Sequence, residues 1–329
     1  MHRTLSAQHD RFALARPFRI SRGVRTEANA VTVTIRENGL IGRGESIPYT
    51  RYGETPESTL AAIEEVRGVI EAGAGRQTLL SLLPPGAARN AVDCALWDLE
   101  ARQSGRDVSS MIGAPAPGVI ASALTIVIDT PEAMAAAAQD IAGAPLIKVK
   151  LDAEDVPARL RAVREAAPKP RLIVDPNESW DQSLMEQLQP LLVDLRVDLL
   201  EQPVRADDDA WLEGFKPLVP VCADEAIHVA EDLDIVSRRY QVVNVKLDKT
   251  GGLTAALELA REARARGLGL MTGCMVSSSL SIAPALHIAR MSDFVDLDGP
   301  IWLKEDREGG VRDEGGFLHP PRRGFWGTV

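Results

Sequence analysis

Leu146–Asp152 reads LIKVKLD, and the direction in which its two lysines point decides the fold. Ile147, Val149 and Leu151 alternate with Lys148 and Lys150, the period of two of a β-strand. At the surface of an ordinary sheet the lysines would face water. In a closed barrel, side chains of one parity fill the interior. Lys148 and Lys150 would then both point to the axis, with Ile147, Val149 and Leu151 packed outward against helices.

The rest of the chain favours the barrel. From about residue 119, short apolar strands end in polar residues, and most are followed by helix-like stretches: ASALTIVID, LIKVKLD, RLIVDPN, VDLLEQP, VPVCADE, VVNVKLDKTGG, LGLMTGC and FVDLDGP. Lys150 to Asp175 is 25 residues, and Glu201, Asp224, Lys246, Thr272 and Asp296 follow at intervals of 26, 23, 22, 26 and 24. Eight strands with this spacing predict an α/β barrel, whose strand C-termini form the active-site rim. A doubly wound sheet is the alternative, but it needs no functional group at the end of every strand. Residues 1 to about 118 read differently. ANAVTVTIRENGLIGRGES alternates around a Glu-Asn-Gly turn, a hairpin signal. Helical patterns follow at 57–73 and 87–103, so this part is an α+β module.

In an eight-stranded barrel, strands two and six lie opposite each other. Lys150 and Lys246 therefore face across the pocket, with Asp175, Glu201 and Asp224 on the strands between them. Any one of these acids alone reads as a helix cap. Three at barrel spacing, with no His or Cys beside them, read as hard oxygen ligands for Mg²⁺, or Mn²⁺. A proton α to a carboxylate is very weakly acidic, and its removal needs the enediolate charge stabilised. Burial, a neighbouring ammonium and a metal favour a neutral lysine able to act as the base. A base on one face and an acid on the other invert a stereocentre. Lys148 reads as an electrostatic helper, and Asp248 and Lys249 as an ion pair or a turn.

Composition bounds the rest. The 329 residues suffice for one large or two medium domains, and 45% hydrophobic with 26% charged residues is ordinary for a globular protein. A net charge of −10 argues against nucleic acid and anionic membranes. No stretch approaches the ~18 apolar residues of a membrane helix, and MHRTLSAQHDRFALARPF lacks the apolar core of a secretory signal. Cys94, Cys222 and Cys274 are odd in number and far apart, which predicts a reduced, cytoplasmic protein and small buried hydrophobes.

Taken together, LIKVKLD, LIVDPNESW, LLEQP, CADEA, VVNVKLDKTGG and DLDGP resemble the enolase superfamily, muconate-lactonizing subgroup, and within it the dipeptide epimerases. The resemblance covers nearly the whole chain. It implies a modified TIM barrel, (β/α)7β, at 119–304, under an α+β capping domain at 1–118 onto which 305–329 fold back. It implies Lys148 and Lys150 as the K-x-K pair, Lys246 as the second base, and Asp175, Glu201 and Asp224 as metal ligands. Asp296 and Asp298 would hold the free α-ammonium of a dipeptide. Thr125 would touch substrate. ARPFRISRGVRTEA would be a mobile cap loop in which Arg22 or Arg25 meets an acidic side chain. The implied activity is Mg²⁺-dependent epimerisation of a dipeptide such as L-Ala-D/L-Glu at its C-terminal residue, serving murein peptide recycling. Relatives of this kind are often homo-oligomers. An N-acylamino acid racemase, an o-succinylbenzoate synthase, a cycloisomerase or a non-catalytic metal- or peptide-binding barrel stands as the alternative. Only the Asp296/Asp298 pair argues for a free amine. One departure is D-P-N at Asp175–Asn177, where many relatives have D-A-N.

Overall fold

A computed structural model describes residues 3–328. Eight parallel strands follow one another around a single sheet in chain order: Leu124–Ile126, Leu146–Lys150, Arg171–Asp175, Leu199–Glu201, Val221–Ala223, Val242–Val245, Gly269–Gly273 and Phe294–Asp296. The ends of the sheet meet where the Ala123 N–H donates to the Val295 carbonyl at 2.8 Å. The sheet is thus a nearly closed barrel.

Parity resolves as the opening stretch requires. Leu146, Ile173, Leu199, Cys222, Val242, Met271 and Phe294, with Ala123, form a closed apolar cluster inside the barrel. Lys148, Asp175, Glu201, Asp224, Asn244, Gly273 and Asp296 each lie two residues further along their own strands, one layer higher. The barrel floor is therefore an oily plug and the next layer up is polar. Ile147, Val149 and Leu151 face the other way and join the large core shared with the outer helices. All five residues of Leu146–Lys150 are buried, lysines included.

The N-terminal part is a three-stranded antiparallel sheet, Thr4–Ile20, Gly23–Glu37 and Leu40–Ser46, backed by helices Pro56–Glu71, Arg76–Leu82 and Ala87–Ser104. Its second hairpin turns at Asn38–Gly39, both with positive φ (53° and 80°), the tight turn that an Asn-Gly pair favours. It has its own apolar core around Val31, Val33, Ile63 and Leu96. The sequence reading expects a loop at 15–28. The structure instead carries the first two strands to the tip, pairing Phe18 with Arg25 and Ile20 with Gly23, after a register shift between Ala13 and Phe18. Phe18 and Ile20 alternate with Pro17 and Arg19, so the period-two signal was present but short.

The last residues pack on the N-terminal sheet and helix. The Trp326 indole donates to the carbonyls of Arg43 and Cys94, and the Gly327 N–H donates to Asp98. Phe317–His319 pairs with Ile120–Ala121 in a small separate sheet. No helix among the described residues is long and apolar enough to cross a membrane.

Candidate active site

One pocket opens at the C-terminal end of the barrel, under the tip of the first hairpin. Thr125, Lys148, Lys150, Asp224, Lys246, Asp296 and Asp298 line it from the barrel, and Phe18, Ile20, Arg22, Arg25, Tyr49 and Tyr52 from above. Every candidate catalytic, metal-binding or substrate-binding residue named from the sequence lies here except Asp175 and Glu201, which are fully buried.

The lysines and carboxylates are interleaved. Lys148 Nζ sits 3.0 Å from Asp175, 2.7 Å from Glu201 and 2.8 Å from Asp296. Lys150 Nζ donates to Asp175 Oδ2 at 2.5 Å, and Lys246 Nζ to Asp224 Oδ2 at 2.7 Å. Lys249 donates to Asp224 Oδ1 at 2.6 Å and to the Asp224 and Asn244 carbonyls. The ion pair read from the sequence for Lys249 is thus found, with a partner that sequence spacing did not supply. Register explains the first contacts: Lys150 is the cross-strand neighbour of Asp175, and Lys148 of Thr125.

This arrangement sets the charges. Burial opposes the Lys148 ammonium, but Asp296, Glu201 and Asp175 outweigh it and hold the group well above its ordinary value. Lys246 follows the same balance with Asp224 and Glu201. Burial alone lowers both lysines; the carboxylates outweigh it. Glu201 is pushed up to about 7 by burial and by Asp175. Asp175 and Asp224 resist burial because lysines face them, and stay below the usual carboxylate range.

The carboxylates are tied to ammonium groups, and no trio of acidic, His or Cys side chains among the described residues converges on one metal position. The donor chemistry nevertheless fits a hard cation. Glu201 Oε2 and Asn177 Oδ1 are buried oxygens without a hydrogen bond; Lys148 Nζ approaches Glu201 Oε2 closely, but off the hydrogen-bonding direction. Three carboxylates and amide oxygens, without sulfur or imidazole, are the donor set of Mg²⁺ or Mn²⁺.

On strand eight, Asp296 offers one oxygen to Lys148 and leaves Oδ1 buried without a partner. Asp298 Oδ2 accepts from the Thr125 N–H (2.9 Å) and the Trp302 indole (3.1 Å). Burial and Asp296 raise the Asp298 carboxyl to about 6. Thr125 is thus bound to Asp298 through its backbone N–H.

The hairpin tip separates the two arginines. Arg22 is consumed in holding the tip to the barrel: it donates to the Asn177 carbonyl (3.1 Å), Glu178 (3.2 Å), the Tyr49 hydroxyl (3.1 Å) and Glu225 (2.6 Å). Ser21 Oγ also donates to the Asn177 carbonyl, and Arg51 pairs with Glu178. Arg25 lies over the Tyr49 ring at 4.7 Å from its centroid, and no hydrogen bond or ion pair engages it among the described residues. Phe18 packs edge-on against Trp302, centroids 4.7 Å apart, which seats the tip beside Asp298.

The sequence reading missed Asn244, Glu225 and Asn177. Asn244 Nδ2 donates to Glu201 Oε1 at 2.8 Å, and its parity with Lys246 could have revealed it. Glu225 is the residue after Asp224, and only the folded hairpin brings Arg22 to it. Asn177 hydrogen-bonds Asp175 from the D-P-N turn, its φ at 47°.

The chain belongs to the enolase superfamily. Residues 2–113 match the mandelate racemase / muconate lactonizing enzyme N-terminal domain, and residues 132–325 the enolase C-terminal domain-like family. The L-Ala-D/L-Glu epimerase of Escherichia coli K12 is 47% identical over 96% of this chain and 99% of that protein. An N-acetyl-D-glutamate racemase of Pseudoalteromonas is 42% identical, covering 90% and 95%. Among solved structures, an enolase family member from Agrobacterium tumefaciens with homology to dipeptide epimerases, bound to sodium and L-Ala-L-Glu with an ordered loop, superposes with a TM-score of 0.96 at 47% identity, covering 98% and 99%. A dipeptide epimerase from Methylococcus capsulatus, complexed with Mg and L-Arg-D-Lys, gives 0.90 at 33%, covering 98% of each chain.

Proposed function

We propose that this protein is a Mg²⁺-dependent dipeptide epimerase that inverts the C-terminal residue of L-Ala-D/L-Glu or a near relative. The observation that carries the reading is one pocket with Lys150 and Lys246 at the ends of strands two and six, opposite walls of the barrel, and an acidic pair at the end of strand eight. Relatives at 47% identity, one named for this activity and one holding L-Ala-L-Glu, support it.

Asp175, Glu201 and Asp224 would hold the divalent cation, with Asn177 and Asn244 orienting two of them. When bound, that cation supplies positive charge to the substrate carboxylate and to the electron density that builds there. One lysine takes the α-proton as the C–H electron pair moves toward the carboxylate, and the opposite lysine delivers a proton to the other face. Lys148 keeps its charge beside the carboxylates and stabilises negative charge in the pocket. Asp296 and Asp298 face the α-ammonium. Arg25, stacked on Tyr49 but without an ion pair among the described residues, meets the acidic side chain, while Arg22 holds the hairpin tip down. The activity would serve peptide recycling in the cytoplasm.

The N-acetyl-D-glutamate racemase relative favours a second reading, racemisation of an N-acyl glutamate. Such a substrate carries no ammonium. Proton NMR in D₂O with Mg²⁺ separates the two. Loss of the Glu α-proton of L-Ala-L-Glu, with growth of the L-Ala-D-Glu diastereomer, is expected. Asp296→Asn/Asp298→Asn should raise KM for the dipeptide by about tenfold to a hundredfold, the worth of a charge-assisted hydrogen bond. Turnover of N-acetylglutamate with inert dipeptides would replace the first reading by the second.

A further inference from the structure

We propose that the helix Ala87–Ser104 is the positioning device for Lys246, acting through Arg89, Asn90 and Asp93. The proposal rests on the two-base reading above.

Lys246 is not on a strand. It lies one residue past the end of Val242–Val245 and begins a four-residue helical turn, Leu247–Thr250, where its carbonyl accepts from the N–H groups of Lys249 and Thr250 at 3.0 Å. Its own backbone is still extended (φ −120°, ψ 128°) and keeps the direction of the strand, but the turn that follows it has no sheet register. Inside the barrel Lys246 reaches Asp224, and Lys249 reaches Asp224 and the Asn244 carbonyl; from outside, the turn is held by the cap helix. Arg89 donates to the carbonyls of Thr250 (2.7 Å) and Gly251 (3.2 Å). Asn90 donates to Asp248 Oδ1 at 2.8 Å. Asp93 accepts from the Thr254 N–H (3.0 Å) and hydroxyl (2.6 Å). All three helix residues are buried.

Two glycines show how closely the surfaces meet. Gly251 and Gly252 have φ of +75° and +110°, and a Cβ there would land on the Arg89 guanidinium and the Asp93 carboxylate. A helix that only had to pack on the barrel could do so with apolar side chains, and Cys94, Trp97 and Ala101 of the same helix do that. Arg89, Asn90 and Asp93 instead spend buried polar groups, costly unless hydrogen-bonded, on the backbone and side chains of one turn. Asp248 extends the clamp: the same Oδ1 accepts from the Ile47 N–H at 2.9 Å, two residues before pocket-lining Tyr49. Lys150, by contrast, is set within the barrel by its strand pairing with Asp175.

The test is face-selective. In D₂O with Mg²⁺, Lys150→Ala and Lys246→Ala first define which dipeptide epimer presents its α-proton to which lysine. Arg89→Gln and Asn90→Ala are then compared with the wild type, and Asp93→Asn, which keeps the side-chain shape, covers the event that a larger change prevents folding. Exchange from the Lys246-facing epimer is expected to fall about tenfold to a hundredfold, the scale of a misplaced reacting group, and exchange from the other to stay within about twofold. Equal slowing of both epimers, or no slowing in any of the three, would overturn the clamp alone. Loss of exchange from both epimers in Lys246→Ala would overturn the two-base reading, and the clamp with it.

Discussion

Lys150 and Lys246 face one pocket from opposite walls, yet they are held by different means. Lys150 is the last residue of a barrel strand whose register with the next strand puts it against Asp175. Lys246 lies past its strand end, in a turn gripped by a helix more than 140 positions earlier in the chain. A strand residue inherits its direction from the pleat and its height from the hydrogen-bond ladder. Lys246 keeps the extended backbone and direction of the strand before it, but the turn that follows has no ladder and rests on tertiary contacts. The proposed two-base chemistry would be symmetric on an asymmetric scaffold.

The largest effect should come from removing either lysine. Lys150→Ala and Lys246→Ala should each lower epimerisation by on the order of a thousandfold or more, as expected for losing a general acid–base, with far-UV circular dichroism unchanged. Steady-state epimerisation followed by polarimetry checks this. A variant retaining full turnover in both directions would show that the two walls are not the two bases.

A second expectation probes the anchoring of the cap side. His287 is buried in the helix after strand seven, its ring 5.9 Å from that of Trp326, which donates to the Cys94 carbonyl in the cap helix. Burial and Arg290 depress its pKa from 6.5 to about 4. A depressed folded value means that the stability held by neutral His287 is complete above about pH 6.5 and is lost as pH falls through about 4. The loss is on the order of 3 kcal/mol. His287→Phe should lack this loss, so its stability relative to wild type should grow between pH 7 and pH 4 in urea melts. Parallel pH profiles for the two proteins would refute the assignment.

The hairpin tip gives the smallest effect. Arg25→Gln should cost L-Ala-L-Glu about tenfold to a hundredfold in kcat/KM, the worth of a charge-assisted hydrogen bond, and leave L-Ala-L-Ala little changed. Arg22→Gln frees the tip from Glu225 and Asn177, and should weaken both dipeptides alike. The ratio of the two dipeptides in each variant is the measurement. If Arg22→Gln alone changed that ratio, the two arginines would have to exchange roles.

Much of this was legible in the chain. The barrel followed from the recurrence of a polar residue every 22–26 positions at strand ends. The inward direction of Lys148 and Lys150 followed from parity, and the same parity puts the Leu146–Phe294 plug beneath them. Asn38–Gly39 announced its turn. Other features had no local signature. The hairpin reaching Ile20 reads as a loop, because its tip is stabilised by Asn177 and Glu178, more than 150 residues away. Arg22 and Arg25 are alike in sequence, and only contact with Glu225 and the Tyr49 hydroxyl tells them apart.

The sequence by itself determined the fold class, the identity of the lysines and carboxylates, and the wall of the barrel on which each stands. Those depend on periodicity, which a strand or helix imposes locally. The tertiary structure decided which groups pair, which arginine is left without an ion pair among the described residues and which lysine precedes a turn held by the cap. These depend on distances between residues far apart in the chain, and on the balance between burial and charge at one buried point. There, Asp296, Glu201 and Asp175 around Lys148, and Asp224 and Glu201 around Lys246, outweigh burial and raise both ammonium groups above their ordinary values.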